Sequence, residues 1–170
     1  MRARRSHLLA LLVALAAQGA DARAQVDAET LKAAFIYNFA IYTTWPPPPR
    51  DVVAITLCVD RTSTLVRALR ELAGKRVQQR TLAVREVDAT AAPLAGCDIL
   101  ITTAARPGPA PAERGLLTVC DCDGLPASTG SMIALVREGD RLRFDVDRQA
   151  AEAAGLSLSS KLLRLARNAP

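Results

Sequence analysis

The chain has 170 residues, half of them hydrophobic, with 22 basic against 17 acidic residues, four cysteines and one histidine, His7. That length supports a single domain with a real core. A lone histidine excludes His-rich metal clusters, and four of the basic residues fall in the first 24 positions, so the +5 excess is a poor argument for nucleic acid.

Those first positions read as a secretory signal peptide. MRARRSH is a basic n-region, LLALLVALAAQGA an apolar h-region too short for a comfortable membrane span, and Ala22-Arg23-Ala24 a small-x-small cleavage site. Cleavage after residue 24 leaves residues 25–170 as one domain that begins at Gln25. It removes Arg2, Arg4, Arg5 and Arg23 against Asp21, so 18 basic and 16 acidic residues remain, a net of +2. It also removes His7, and with it Ser-His-Asp and Cys-His nucleophile systems.

Thr30 to Pro49, TLKAAFIYNFAIYTTWPPPP, holds five of the six aromatic residues: Phe35, Tyr37, Phe39, Tyr42 and Trp45; the sixth is Phe144. Each such ring buries roughly 150–250 Å². At helical spacing Leu31, Ala34, Phe35, Asn38, Ile41, Tyr42 and Trp45 form one stripe. Ala33, Ile36, Tyr37, Ala40 and Thr44 form the other, nearly as apolar. A helix apolar all round is buried on more than one side. The commoner case is a core helix under a sheet; the sharper one sets one side against a second protein chain, since aromatics and depleted charge mark interface cores. Phe35, Tyr37, Asn38, Phe39, Tyr42 and Trp45 are therefore the candidate partner-binding residues. Thr30 is the expected N-cap, and the prolines from Pro46 to Pro49 end the helix and form a stiff spacer.

Strands and helices then alternate. Val52–Val59 is a continuous apolar run of the buried parallel type. A helical stripe of Leu65, Leu69 and Leu72 spans about 62–73 and stops at Gly74. Arg80–Val87 alternates and predicts a strand with one wet face near a sheet edge. A short helix is expected at Ala89–Leu94, a buried strand at Cys97–Thr103, a proline-rich loop at Arg106–Pro111 and a fourth strand at Gly115–Asp121. Ser131–Glu138, Gly139-Asp140 and Arg141–Asp147 predict a hairpin. Gly155 breaks the chain before a last helix from about Ser159 to Asn168, with Leu162, Leu163, Leu165 and Ala166 inward. The sum is an α/β three-layer sandwich with a mostly parallel sheet, a C-terminal β-hairpin and a terminal helix.

In an exported domain the four cysteines, Cys58, Cys97, Cys120 and Cys122, allow three disulfide pairings. Cys58–Cys97 would close a loop of about 40 residues and stabilise by about 4 kcal/mol in the chain-entropy picture. Adjacent parallel strands with these limits would, however, hold the two residues beyond the roughly 7 Å Cα limit. Cys120-Asp121-Cys122-Asp123 reads as a structural pair or two separate thiols, ahead of a redox pair or a metal site. Ser157, Ser159, Ser160 and Lys161 invite a Ser–Lys nucleophile but are more simply a helix cap and an exposed charge. No catalytic constellation, metal site or cofactor motif emerges.

The segments LKAAFIYNFAIYTTWP, LCV (57–59), CDIL (97–100), LTV (117–119), GSMI (130–133), RFDVD (143–147) and AGLSLSSKLLRLA (154–166) stand in an order that resembles the YfiR family of bacterial periplasmic proteins. The resemblance implies an α/β fold, a periplasmic location and a homodimer. It also implies a repressor that binds the periplasmic domain of an inner-membrane diguanylate cyclase and keeps cyclic-di-GMP low. Cys58 and Cys97 fall where the family has a disulfide. Cys120 and Cys122 do not match the family's second pair, since Ala127 and Ala134 lie near those places, and Asp147 stands where an Asn is common. The alternative from another class is a periplasmic small-ligand receptor with a pocket at the carboxyl ends of the strands.

Overall fold

The continuous apolar runs become the middle of a seven-stranded sheet. In the computed structural model, which describes residues 28–47, 53–88, 95–103, 114–122 and 130–168, β2 (Ala54–Asp60), β5 (Ile99–Thr102), β6 (Leu117–Cys120) and β7 (Ile133–Glu138) lie side by side in parallel. β4 (Arg80–Val87) pairs in parallel on the other side of β2. The two outer strands run antiparallel: β3 (Arg76–Val77) on β4 and β8 (Arg141–Val146) on β7, in the order β3-β4-β2-β5-β6-β7-β8. The α/β class with a mostly parallel sheet and a C-terminal hairpin is thus as the residue pattern predicts. β4 has the predicted limits and stands near the edge as predicted, with only the two-residue β3 outside it. The hairpin turns at Gly139, whose φ of 58° suits the first central position of a II′ turn.

The expected leader, the helix at 89–94 and the loop at 106–111 lie outside the described residues, as do the last two prolines of the 46–49 run. Among the described helices, α1 (28–41), α2 (Val66–Arg70), α3 (Arg148–Ala153) and α4 (Ser160–Leu163) all feed one core. Ile36 and Phe39 of α1, Leu69 of α2, Ala151 of α3 and Leu162 of α4 meet Ile55, Leu57, Val59, Ile101 and Leu117 of the sheet there. On the opposite face the described residues form a much smaller cluster of Cys58, Leu100 and Leu116, with Val87 and Cys97 against it.

Three helices differ from their predicted spans, each because a local hydrogen bond or tertiary pairing overrides the helical pattern. α1 already runs from residue 28, so Thr30 is inside it and not its cap. It ends at 41, because Thr43–Thr44 (β1) pairs antiparallel with Ser157–Leu158 (β9), and Trp45 therefore lies beyond the helix. α2 keeps its buried stripe of Leu65, Leu69 and Leu72 but is α-helical only over Val66–Arg70, between a turn in which Ser63 Oγ accepts the Leu65 N–H and another at Gly74. α4 stops at Leu163 because the following residues are drawn onto the edge strand. Arg167 N–H donates to the Phe144 carbonyl, and the Asn168 amide accepts from Val146 N–H and donates to its carbonyl. That side chain imitates a neighbouring strand and covers part of an otherwise open edge. Leu165, predicted inward, is 65 % exposed as a result.

Candidate interaction surface and cysteine pairs

α1 has two faces of different fate. Ala33, Ile36, Phe39 and Ala40 are buried against the sheet. Phe39 and Phe35 close edge-on around Phe144, with ring centroids 5.0 and 6.0 Å away and 6.2 Å between each other. Such pairs contribute about 0.5–1.5 kcal/mol each beyond their area. The opposite stripe holds Leu31, 46 % exposed, with Ala34 and Asn38 exposed and Phe35, Ile41 and Tyr42 half-buried.

The six candidate partner residues consequently separate. Phe39 is 1 % and Trp45 8 % exposed, so both are core residues here and neither presents a surface, a correction with a plain cause: Phe39 faces the sheet and Trp45 follows the helix inward. The Trp45 Nε1–H donates to the Asp98 carbonyl at 3.3 Å, and Arg80 stacks over its ring at 5.6 Å. Tyr37 is half-buried and spends its hydroxyl on the Arg76 carbonyl at 2.6 Å, with Lys75 above its ring. Asn38 is exposed, its amide donating to Ala34 O in its own helix. Phe35, Asn38 and Tyr42 remain on the outer stripe. Leu31 and Ala34 join them, and no aromatic marks either in the sequence.

Charged residues fix the first turns of α1. The Lys32 ammonium lies 2.6 Å from Oδ1 of Asp121, off hydrogen-bond alignment and nearly enclosed, with side chains 13 % and 7 % exposed. Glu29 is buried 3.9 Å from Arg67 of α2. Beside α1 the segment from Ser159 to Arg167 is tied to the Tyr42 carbonyl by Ser159 N–H and to Phe144 by Arg167 N–H. Arg167 grips Asp145 through two nitrogens and Glu138 through a third contact. These hydrogen bonds, Asp145 foremost, push its guanidinium further above the ordinary arginine range, so it is charged at every accessible pH.

Cys58 and Cys97 are disulfide-bonded, with Cα atoms 5.7 Å apart. The predicted separation fails because β5 starts at Ile99: Cys97 precedes the ladder, after a turn in which Gly96 has φ 77°. Cys120 and Cys122 are joined across Asp121 with Cα atoms 5.2 Å apart, both buried. Ser159 caps α4 by accepting the Lys161 N–H, and Lys161 is exposed. A cavity of about 220 Å³ lies between α3, β9 and α4, bordered by Arg148, Glu152, Leu158 and Leu163, away from the strand carboxyl ends where a small-ligand pocket was expected. No group of three or more potential metal ligands occurs among the described residues.

The sequence profile of the YfiR/HmsC-like family matches residues 29–167, from the first turn of α1 to the arginine that holds the edge strand. The chain belongs to the YfiR/HmsC-like family. A search of curated proteins finds no match. For this YfiR/HmsC-like domain, no described helix is long and apolar enough to cross a membrane.

Proposed function

We propose that the protein is a periplasmic, non-enzymatic regulator that binds the periplasmic domain of an inner-membrane signalling protein, a diguanylate cyclase, and lowers cyclic-di-GMP. Family membership supports the regulatory class and the periplasmic setting. The observation that carries the binding mode is the outer stripe of α1. Leu31 and Ala34 are exposed and Phe35 half-exposed, on a helix whose inner face and first turn are firmly held. A rigid apolar strip with one polar amide, Asn38, has the composition of an interface centre. Its rigidity lowers the ordering cost of association.

In this reading the sheet keeps α1 in place and the regulator acts as a homodimer. A signal releases the partner by favouring a form that binds it less well, since an equilibrium moves only through differential affinity. The test is a photo-crosslinking residue at position 31 in the full chain, in cells of the host. A crosslink to an inner-membrane protein with a cyclase domain is expected. Crosslinks confined to a second copy would assign this stripe to the dimer and contradict the binding mode.

A further inference from the structure

The two outer margins of the sheet are finished differently. Along β8, the Arg167 N–H takes the Phe144 carbonyl and the Asn168 amide takes both main-chain groups of Val146. Along β4 the cover stops early. β3 reaches only from Arg76 to Val77, opposite Thr81 and Arg80. Leu82 is then served on its outer side by the Lys75 carbonyl and the Gly74 N–H, where the chain comes in from α2. Toward β2, Thr81 N–H donates to Val53 and the Val87 carbonyl accepts from Arg61, so the odd-numbered residues of β4 face inward and the even-numbered ones outward. Among the described residues no strand pairs with the outward N–H and C=O groups of Val84 and Glu86.

Nor do side chains guard this margin. Charges that project over an edge repel an incoming strand. Here Glu86 is engaged by Arg70 on the helix side, and Arg85 Nη2 donates to the Ala95 carbonyl at 2.8 Å on the other. Val84 is half-buried against the core. The described contacts of the Arg85 guanidinium are that carbonyl and the sulfurs of Cys58 and Cys97, so no described carboxylate offsets its charge.

We propose that the outer margin of β4, from Val84 to Glu86, is a strand-addition site for an extended, carboxylate-bearing segment of another protein. An antiparallel segment exchanges main-chain hydrogen bonds with Val84 and with Glu86, and sets the residue between them opposite Arg85. Asp or Glu at that place supplies the missing counter-charge. A second copy of this chain does not fit. A two-fold axis at Arg85 or at Glu86 would set that charge directly against its own counterpart, which is destabilising. An axis at Val84 would set Glu86 against Leu82, whose main-chain groups Lys75 and Gly74 already hold. The margin of β4 is separate from the outer stripe of α1, so this inference goes beyond the regulatory proposal and stands without it.

The test has two parts. In hydrogen exchange of the purified protein, the Val84 and Glu86 amides should exchange on the order of a hundredfold faster than those of Ala83 and Arg85, which face β2. Equal protection would mean a margin already covered and would overturn the proposal. In the second part a photo-crosslinking residue stands at exposed position 88 of the full chain in host cells. The expected product joins it to an extended segment of another protein with Asp or Glu beside the crosslinked position. Glu86→Pro removes an outward N–H where an edge strand tolerates proline, and should lower that product by about tenfold. Glu86→Gln loses the same ion pair but keeps the N–H, and should leave the product in place. Arg85→Glu should lower it several-fold. Should E86P fail to fold, R85E and the exchange pattern decide. A product that survives these changes, one joined only to a second copy, or none at all would overturn the proposal.

Discussion

The two faces of the sheet are held by different means. On the helix-covered face, Phe39, Ile36, Leu57, Ile101 and their neighbours form one continuous core. Its stability is spread over many contacts, each a small dispersion gain. On the other face the described cluster contains only Cys58, Leu100 and Leu116, with Val87 and Cys97 against it, and a covalent bond stands at its centre. The first face tolerates a small loss anywhere and a large loss at few places. Among the described residues the second centres on one covalent bond.

The largest expected effect lies on the helix face. Phe39→Ala removes a ring with two aromatic neighbours from an almost solvent-free site. It should cost about 3–5 kcal/mol in urea unfolding. The Cys58→Ala/Cys97→Ala pair should cost about 2–4 kcal/mol, and the gap between wild type and this variant should vanish when both are measured under full reduction. If F39A cost much less than the double cysteine variant, the contrast between the faces would be reversed. Asp147→Ala removes the carboxylate that accepts Ala150 N–H at the start of α3. About 1 kcal/mol is expected, seen as a modest fall in Tm. The smallest change in stability, within about 0.5 kcal/mol, is expected for Leu31→Glu. That variant nevertheless should lose the partner crosslink, so it separates holding the fold from using its surface.

Much of this was legible in the residues, and the failures have physical causes. At Arg80–Val87 the residue pattern gives the strand with its limits, because alternation reports a half-wet strand directly. The inner core of α1 was not separable from its outer stripe, because both are apolar. What decides between them is the sheet, where Ile36 and Phe39 share a core with Ile55, Leu57 and Ile101, residues the helical pattern does not point to. Trp45 and Leu165 were misplaced for a shared reason: a helical pattern was continued past the point where tertiary pairing takes the chain away. Thr43–Thr44 goes to β9 and Arg167 to Phe144. The Cys58–Cys97 contact was hidden by a strand start placed two residues early.

The central claim, that this domain works by presenting the outer stripe of α1 to a membrane partner, is tested most directly by intracellular cyclic-di-GMP. A strain lacking the gene would be complemented with wild type or with a Leu31→Glu/Ala34→Glu variant confirmed as folded and exported. Deletion is expected to raise the nucleotide, wild type to restore it, and the variant to leave it high. Unchanged levels on deletion, or full restoration by the variant, would contradict the account.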